Sequence, residues 1–418
     1  MVYCAHPEGY RMEGSILQLL RALYGLRRSP ILWLKEFSKS LREMGLQEVP
    51  GEPCLFANAW LIVFFYVDDI VALCRKEHPH YLDEFEKNLR ARCEIRALGE
   101  LNWFLGVRIV RDRKARKVWL CQDSYIDKIM AKFNLEHHKL ASTPLPLNDL
   151  PPHEGVATAQ QVHAYQQRVG SINFAAVITR PDVAFAASRL ATFLCNPSPA
   201  HLAAADQTIT YLHRTRTSAI QYSAPLQGDD EQVFVCACDA AYADDHETRK
   251  STGGFLYTLF GGPIDWHSGK QKTITTSSTE AELLALTRAA KETMWWHRLF
   301  SNLEFNPGHE LIVHCDNRQT IRLLTQDGQK LETKLCHIDI HQLWLRQEVQ
   351  AGRIRISWIP TSDMPADGFT KALSRQRHER FIKQLNLIDI GPLLSRQTAS
   401  SDTQEAEGVC QHSEAATS

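Results

Sequence analysis

The sequence predicts a multidomain chain of α/β and α+β class, from its length, its changing hydrophobic period and its proline clustering. At 418 residues it exceeds what one ordinary core encloses, because a domain takes about 100 to 200 residues. From Val233 onward short β-rich runs alternate with amphipathic stretches, whereas residues 162–222 are Ala-rich and helical in pattern. Pro144, Pro146, Pro151 and Pro152 interrupt regular structure and mark the first boundary. The expected division is residues 1–150, a helical connection over 151–228, an α/β region over 229–374, and a short helix with a disordered tail over 375–418.

Taken in order, Ile16, Leu19, Leu20 and Leu23 recur at helical spacing until Gly25, ahead of a basic turn at Arg27 and Arg28. A second helix follows Pro30, with Leu34, Phe37, Leu41 and Met44 on its apolar face and Gly45 as its C-terminal cap. Leu61 to Tyr66 and Ile70 to Leu73 flank an Asp pair and predict a hairpin. Trp103 to Val110 and Lys117 to Cys121 predict another, with a basic cluster at its tip. Arg180-Pro181 breaks the helical stretch.

Hydrophobic content of 44% with 23% charge belongs to a folded globular chain, and a net charge of -1 gives no global reason to bind a polyanion. That sum hides a basic patch (Arg108, Arg111, Arg113, Lys114, Arg116, Lys117) and an acidic tail (Asp402, Glu405, Glu407, Glu414). The eleven cysteines form no CxxC pair, and Cys236 and Cys238 alternate in an apolar strand as core residues do. A reduced, intracellular protein without a zinc site is expected. No secretory signal is visible, and the longest apolar run, Trp60 to Leu73, is interrupted by Asp68 and Asp69 and is too short for a bilayer, so no membrane partner is expected.

Tyr66-Val67-Asp68-Asp69 places adjacent carboxylates where an apolar hairpin turns, a costly arrangement that a divalent cation relieves. An ordinary surface turn is the competing reading, although such turns favour a glycine that this one lacks. His6-Pro7-Glu8-Gly9-Tyr10, Leu23-Tyr24-Gly25-Leu26, Trp33, Tyr66-Val67-Asp68-Asp69-Ile70 and Leu98-Gly99-Glu100-Leu101, then Phe104-Leu105-Gly106, resemble the copia-type reverse transcriptases in order and spacing. The resemblance implies part of a polymerase palm. In it Asp68 and Asp69 are paired metal-binding carboxylates, Tyr66 and Val67 lie beside the primer end, and residues 98–106 are similar to a primer grip. That family places its first catalytic Asp in an apolar strand just ahead of the segment beginning here at Met1, so these residues alone are expected not to polymerise.

In the second half, β-rich runs end at Asp239 and at Asp316, Glu280 follows Ser277-Ser278-Thr279, and Asp367 follows Pro365. Each has a structural reading: turn formers for the two strand-end acids, a capping box for Glu280 and the same role with Thr279 for Glu282, and a helix-dipole partner for Asp367. Together, four converging acids without fixed Lys or Arg partners imply bound cations. Asp239-Ala240-Ala241-Tyr242, Ser251-Thr252-Gly253-Gly254, Ser277-Ser278-Thr279-Glu280-Ala281-Glu282, Asp316-Asn317 and Ala366-Asp367 with Thr370-Lys371 resemble the copia-type RNase H domain.

The resemblance implies an RNase H-like fold with a five-stranded mixed sheet and metal-dependent cleavage of RNA in an RNA/DNA hybrid. It puts Mg2+ or Mn2+ on Asp239, Glu280, Asp316 and Asp367. Template-primer nucleic acid is a further implied partner, and a virus-like particle in the cytoplasm or the nucleus the implied location. Arg249, Lys250, Lys270 and Lys272 are candidate phosphate contacts, Asn317 a further substrate contact, and Trp295 and Trp296 packing residues. Leu343 stands where the family commonly has a second histidine after His337, and no His lies between Trp358 and Asp367. His337 and His341 are therefore read either as substrate contacts or as plain helix-face residues. A silent nucleic-acid-binding relic, and a polymerase whose front is cut off, stay open as alternatives.

Overall fold

The computed structural model describes residues 2–20, 22–23, 25–224, 233–307, 312–325 and 336–396, and of residues 336–342 the backbone only. The acidic tail residues and the side chains of His337 and His341 therefore lie outside the described residues. The chain divides into two compact units, Met1–Leu101 with Arg298–Phe305, and Asn102–His297 with Asn306–Ser418.

In the first unit β1 (Tyr3–Cys4) pairs antiparallel with β2 (Leu17–Gln18). No helix forms through Ile16, Leu19, Leu20 and Leu23, contrary to their spacing. Isolated helices below about 12 residues are marginal, and with Leu20 89% exposed the apolar stripe has no core to enter. Helix α1 (Ser29–Glu43) carries Pro30 in its first turn and buries Phe37 and Leu41. Gly45, at φ 83°, ends it as expected while Leu46 N–H reaches the Leu41 carbonyl at 3.1 Å. Then come β3 (Gln47–Val49), β4 (Glu52–Ala57), β5 (Leu61–Tyr66), β6 (Asp69–Cys74) and α2 (His80–Arg90), the strands forming one antiparallel sheet in chain order. Leu61, Val63 and Phe65 alternate inward from β5 onto Phe37, Leu41, Phe56, Phe85 and Leu89.

The second unit begins with β7 (Trp103–Phe104), β8 (Val107–Asp112) and β9 (Lys117–Cys121), the expected hairpin, with Arg113 and Lys114 exposed at its tip. Helices α3 (Asp123–Lys132), α4 (Ala159–Ile178), α5 (Ala184–Ala191) and α6 (Pro199–Arg214) follow, and a 3-10 turn over Pro181–Val183 separates α4 from α5. Residues 102–150, grouped on sequence with the first region, pack here because Ile126, Ile129 and Met130 of α3 join the core of Tyr165, Val169, Ile172 and Ile209. The helical pattern expected to reach Tyr222 stops at α6. Ser218–Ser223 form β10, whose backbone finds a partner on both sides, β9 and a strand near the end of the described chain.

Next stand β11 (Phe234–Ala241), β12 (Thr252–Leu259), β13 (Gly262–Lys270), α7 (Ser278–Asn302), β14 (Ile312–Cys315), α8 (Arg318–Thr325), α9 (Cys336–Gln350) and β15 (Arg355–Trp358). A 3-10 turn over Pro365–Phe369, α10 (Arg375–Gln384) and β16 (Leu387–Asp389) complete the unit. The order β13-β12-β11-β14-β15, antiparallel across the first three strands and parallel across the last three, is the five-stranded mixed sheet expected. A second, antiparallel sheet runs β16-β10-β9-β8-β7.

Candidate acidic metal site

Parallel pairing of β11 with β14 sets Cys236 opposite Val313 and Ala237 opposite His314. Continued by two residues, that register delivers Asp239 and Asp316 to the same end of the sheet. Asp239 is buried, and across β12 its partner is Gly254. A Cβ on Gly254 would meet the Phe369 Cβ at 2.6 Å, so the glycine lets the turn carrying Asp367 lie on the sheet beside Asp239. Buried Ala366 and Phe369 hold that turn down, and the Thr370 hydroxyl donates to Asp239 Oδ2 at 2.6 Å. Asp316 Oδ2 accepts from the Thr361 hydroxyl at 2.7 Å.

The two glutamates of the Ser-Ser-Thr-Glu-Ala-Glu segment separate. Positions two apart on a helix point about 200° apart. Glu280 turns back as a cap, accepting from the Thr276 N–H at 2.7 Å and the Thr276 hydroxyl at 2.8 Å, while its own N–H donates to Ser277 Oγ at 3.2 Å. Glu282, read on sequence as a capping residue, is 6% exposed and faces Asp239 and Asp316. A signal for it exists: Glu282 shares the stripe of Leu286 and Ala289, both fully buried, and an acid on a buried stripe needs a reason.

Electrostatics record the crowding. Burial, then Asp239, Cys315 and Asp316, push the Glu282 carboxyl up to about 10 against the lowering effect of the Ala240 N–H. Burial pushes Asp239 up to about 6, with Asp367 and Asp316 adding to it and the Thr370 hydroxyl and Lys371 opposing. Glu282 Oε2 is buried with no partner among the described residues. One expectation is corrected: Asp367 does have a basic partner, since Lys371 Nζ lies 2.8 Å from Oδ1, one helical turn on and 41% exposed. Four carboxylates around an orphaned buried oxygen, with the Cys315 sulfur beside Glu282 and Asp316, fit a divalent cation held through oxygen by Asp239, Glu282, Asp316 and Asp367.

The cations expected to meet phosphate differ among themselves. Lys270 is tied to buried Asp245, which removes it as a free contact, whereas Lys272 and Arg249 are exposed and Lys250 is half-buried. Asn317 caps α8, its Oδ1 accepting from the Thr320 N–H at 3.0 Å. Not foreseen on sequence, the Arg318 guanidinium sits 4.0 Å from the ring of exposed Trp358, whose Nε1 donates to the Asp316 carbonyl at 3.0 Å. Trp295 and Trp296 pack edge to face, with Trp296 against Phe234 and Tyr257.

In the first unit the Asp pair sits as the hairpin pattern implies. Tyr66 pairs with Asp69 across a two-residue turn of Val67 and Asp68. The turn carries no glycine, and Val67 itself takes φ 53°, an outlier for a β-branched residue. Trp33 Nε1 donates to its carbonyl at 2.7 Å, which holds the strained turn from α1. Tyr66, Val67, Asp68 and Asp69 are all exposed.

Residues 1–146 match the family model for reverse transcriptase (RNA-dependent DNA polymerase). The chain is 30% identical over 392 residues to the retrovirus-related Pol polyprotein from transposon TNT 1-94 of Nicotiana tabacum, covering 90% of this chain and 29% of that protein. It is 29% identical over 399 residues to the Pol polyprotein from transposon RE1 of Arabidopsis thaliana, covering 94% of this chain and 26% of that one. The chain thus spans under a third of the length of these relatives. Among solved structures, a foamy viral protease-reverse transcriptase in complex with dsDNA aligns with 82% of this chain and 60% of its own, at 18% identity and a TM-score of 0.43. No described helix is long and apolar enough to cross a membrane.

Proposed function

Because the chain belongs to the copia-type retrotransposon Pol polyproteins, we propose that its second unit hydrolyses the RNA strand of RNA/DNA hybrids at the acid cluster, with Mg2+ or Mn2+ as cofactor. The observation that carries this reading is the convergence of Asp239, Glu282, Asp316 and Asp367 around a buried carboxylate oxygen with no partner. Divalent cations bound there supply charge neutralisation at the scissile phosphate and lower the pKa of an attacking water. The chain's own residues do the rest. Thr370 and Thr361 fix the orientation of Asp239 and Asp316 by hydrogen bonds, and Lys371 holds Asp367.

Arg318 on Trp358, together with Arg249 and Lys272, offers cations and an aromatic face to a hybrid backbone that is read by shape. Asp68 and Asp69 are proposed as two metal-binding carboxylates of a polymerase site, with Tyr66 and Val67 beside the primer end of template-primer nucleic acid.

Hybrid cleavage by the full chain in Mg2+ tests the main reading. Asp239→Asn and Glu282→Gln are each expected to lower the rate more than about a hundredfold, as loss of a metal ligand does. Glu280→Gln is expected to retain it within about threefold, beyond a small capping loss. Equal loss from Glu280→Gln and none from Glu282→Gln would place the site on the other helix face. No cleavage from the unaltered chain would favour the silent nucleic-acid binder.

A further inference from the structure

We propose that Cys315 makes the acid cluster a binding site for thiophilic divalent cations, zinc or cadmium, held by its sulfur together with the Glu282 and Asp316 carboxylates. The inference rests on the nuclease reading only for its effect on cleavage, not for binding itself. Cys315 Sγ and one carboxylate oxygen each from Glu282 and Asp316 all lie within 4.8 Å of one another. Cys315 is fully buried, and its sulfur accepts from the Asn317 N–H at 3.4 Å, a contact that fixes the position of the sulfur beside Asp316. Glu282, itself 6% exposed, belongs to this group and carries a buried Oε2 with no partner among the described residues.

The donor chemistry decides which ion gains. Magnesium prefers oxygen and gains little from sulfur, whereas zinc binds thiolate at about 2.3 Å and carboxylate at about 2.0 Å. Binding displaces the proton of the Cys315 S–H and that of the Glu282 carboxyl, each replaced by a bond to the metal, and both protons pass to buffer. Glu282 and Asp316 are also the carboxylates assigned to the catalytic cation, so a thiophilic ion competes with it.

Titration of the metal-free full chain with cadmium chloride, followed by the ultraviolet thiolate-to-cadmium absorption, tests the proposal. The unaltered chain is expected to show a one-to-one component that Cys315→Ser loses and Cys238→Ser, altering the neighbouring thiol on β11, retains. Zinc affinity, measured by competition, is expected to fall at least tenfold in Cys315→Ser. Glu282→Gln keeps the thiol and is expected to weaken zinc at least tenfold, so a misfolded Cys315→Ser does not leave the question open. Unchanged binding in either variant, or loss of the band with Cys238→Ser instead, would overturn the proposal. With each variant referred to its own zinc-free cleavage rate, half-inhibition by zinc should need at least tenfold more zinc in Cys315→Ser. If no variant cleaves, the nuclease reading fails while the cadmium band still decides this one.

Discussion

His267 on β13 lies against Phe255 and within 2.7 Å of Arg288 Nη1, so its Nε2 is an acceptor for the guanidinium. Burial, and then Arg288, push the imidazole down to about 4. Between pH 6.5 and 4 the unfolded chain takes up a proton that the folded chain refuses. The stability from this group is therefore full above 6.5 and lost as pH falls through about 4. Discounted for partial exposure, the loss is about 2 kcal/mol. His267→Gln, which still accepts from Arg288, should flatten that part of the acid-side loss in urea unfolding at pH 7 and pH 4.5; an unchanged slope would refute the assignment. At this scale the sequence was partly legible. Asp239, Asp316 and Asp367 were visible as acids at element ends, whereas Glu280 and Glu282 were separable only by the rotation of α7, and a capping motif masked which one faced inward.

Between elements, the Arg180-Pro181 break was legible and its purpose was not. Arg180 is fully buried, its Nε 2.8 Å from Asp182 Oδ1 and its Nη2 2.7 Å from Oδ2, with Nη1 on the Thr215 carbonyl at 3.1 Å. The Tyr211 hydroxyl donates to Asp182 Oδ2 at 2.6 Å, and His378 Nε2 meets that hydroxyl at 2.8 Å. The 3-10 turn after α4, helix α6 and helix α10 are thus tied through one buried charge pair, whose partners lie up to 196 residues apart by the numbering of Asp182 and His378. Local pattern carries no trace of such a span. Asp182→Ala strands a buried guanidinium and is expected to cost about 3 to 5 kcal/mol, where Tyr211→Phe costs about 1 to 2. Chemical unfolding monitored by circular dichroism ranks them, and a cost near zero for Asp182→Ala would show that water reaches Arg180.

For the second unit as a whole, strands were legible from β-rich runs but the pairing of β9 with β10 was not, because Ile220 meets Leu120, 100 positions earlier, across four helices and the loops between them. That pairing ties the helical connection to the acid cluster. Ile220 packs with Leu256, Phe369 and Phe381, and Phe369 lies two residues from Asp367. Trp266 Nε1 on β13 donates to the Ala176 carbonyl of α4 at 2.7 Å, and the Tyr222 hydroxyl to the Pro263 carbonyl at 2.6 Å. A chain of residues 229–396 keeps every acid yet exposes the apolar seat of Phe369, leaves Trp266 Nε1 without its acceptor and strips β16 of its partner strand β10. Lost burial and unmade hydrogen bonds together come to about 3 kcal/mol or more relative to residues 102–396. That predicts a melting temperature lower by roughly 10 °C and weaker Mg2+ stabilisation of the acid cluster, read as the shift in melting on adding the ion. Equal melting of the two chains, with equal Mg2+ shifts, would show that the mixed sheet seats Asp367 without the connection, and that the sheet running β16-β10-β9-β8-β7 serves some purpose other than holding the site.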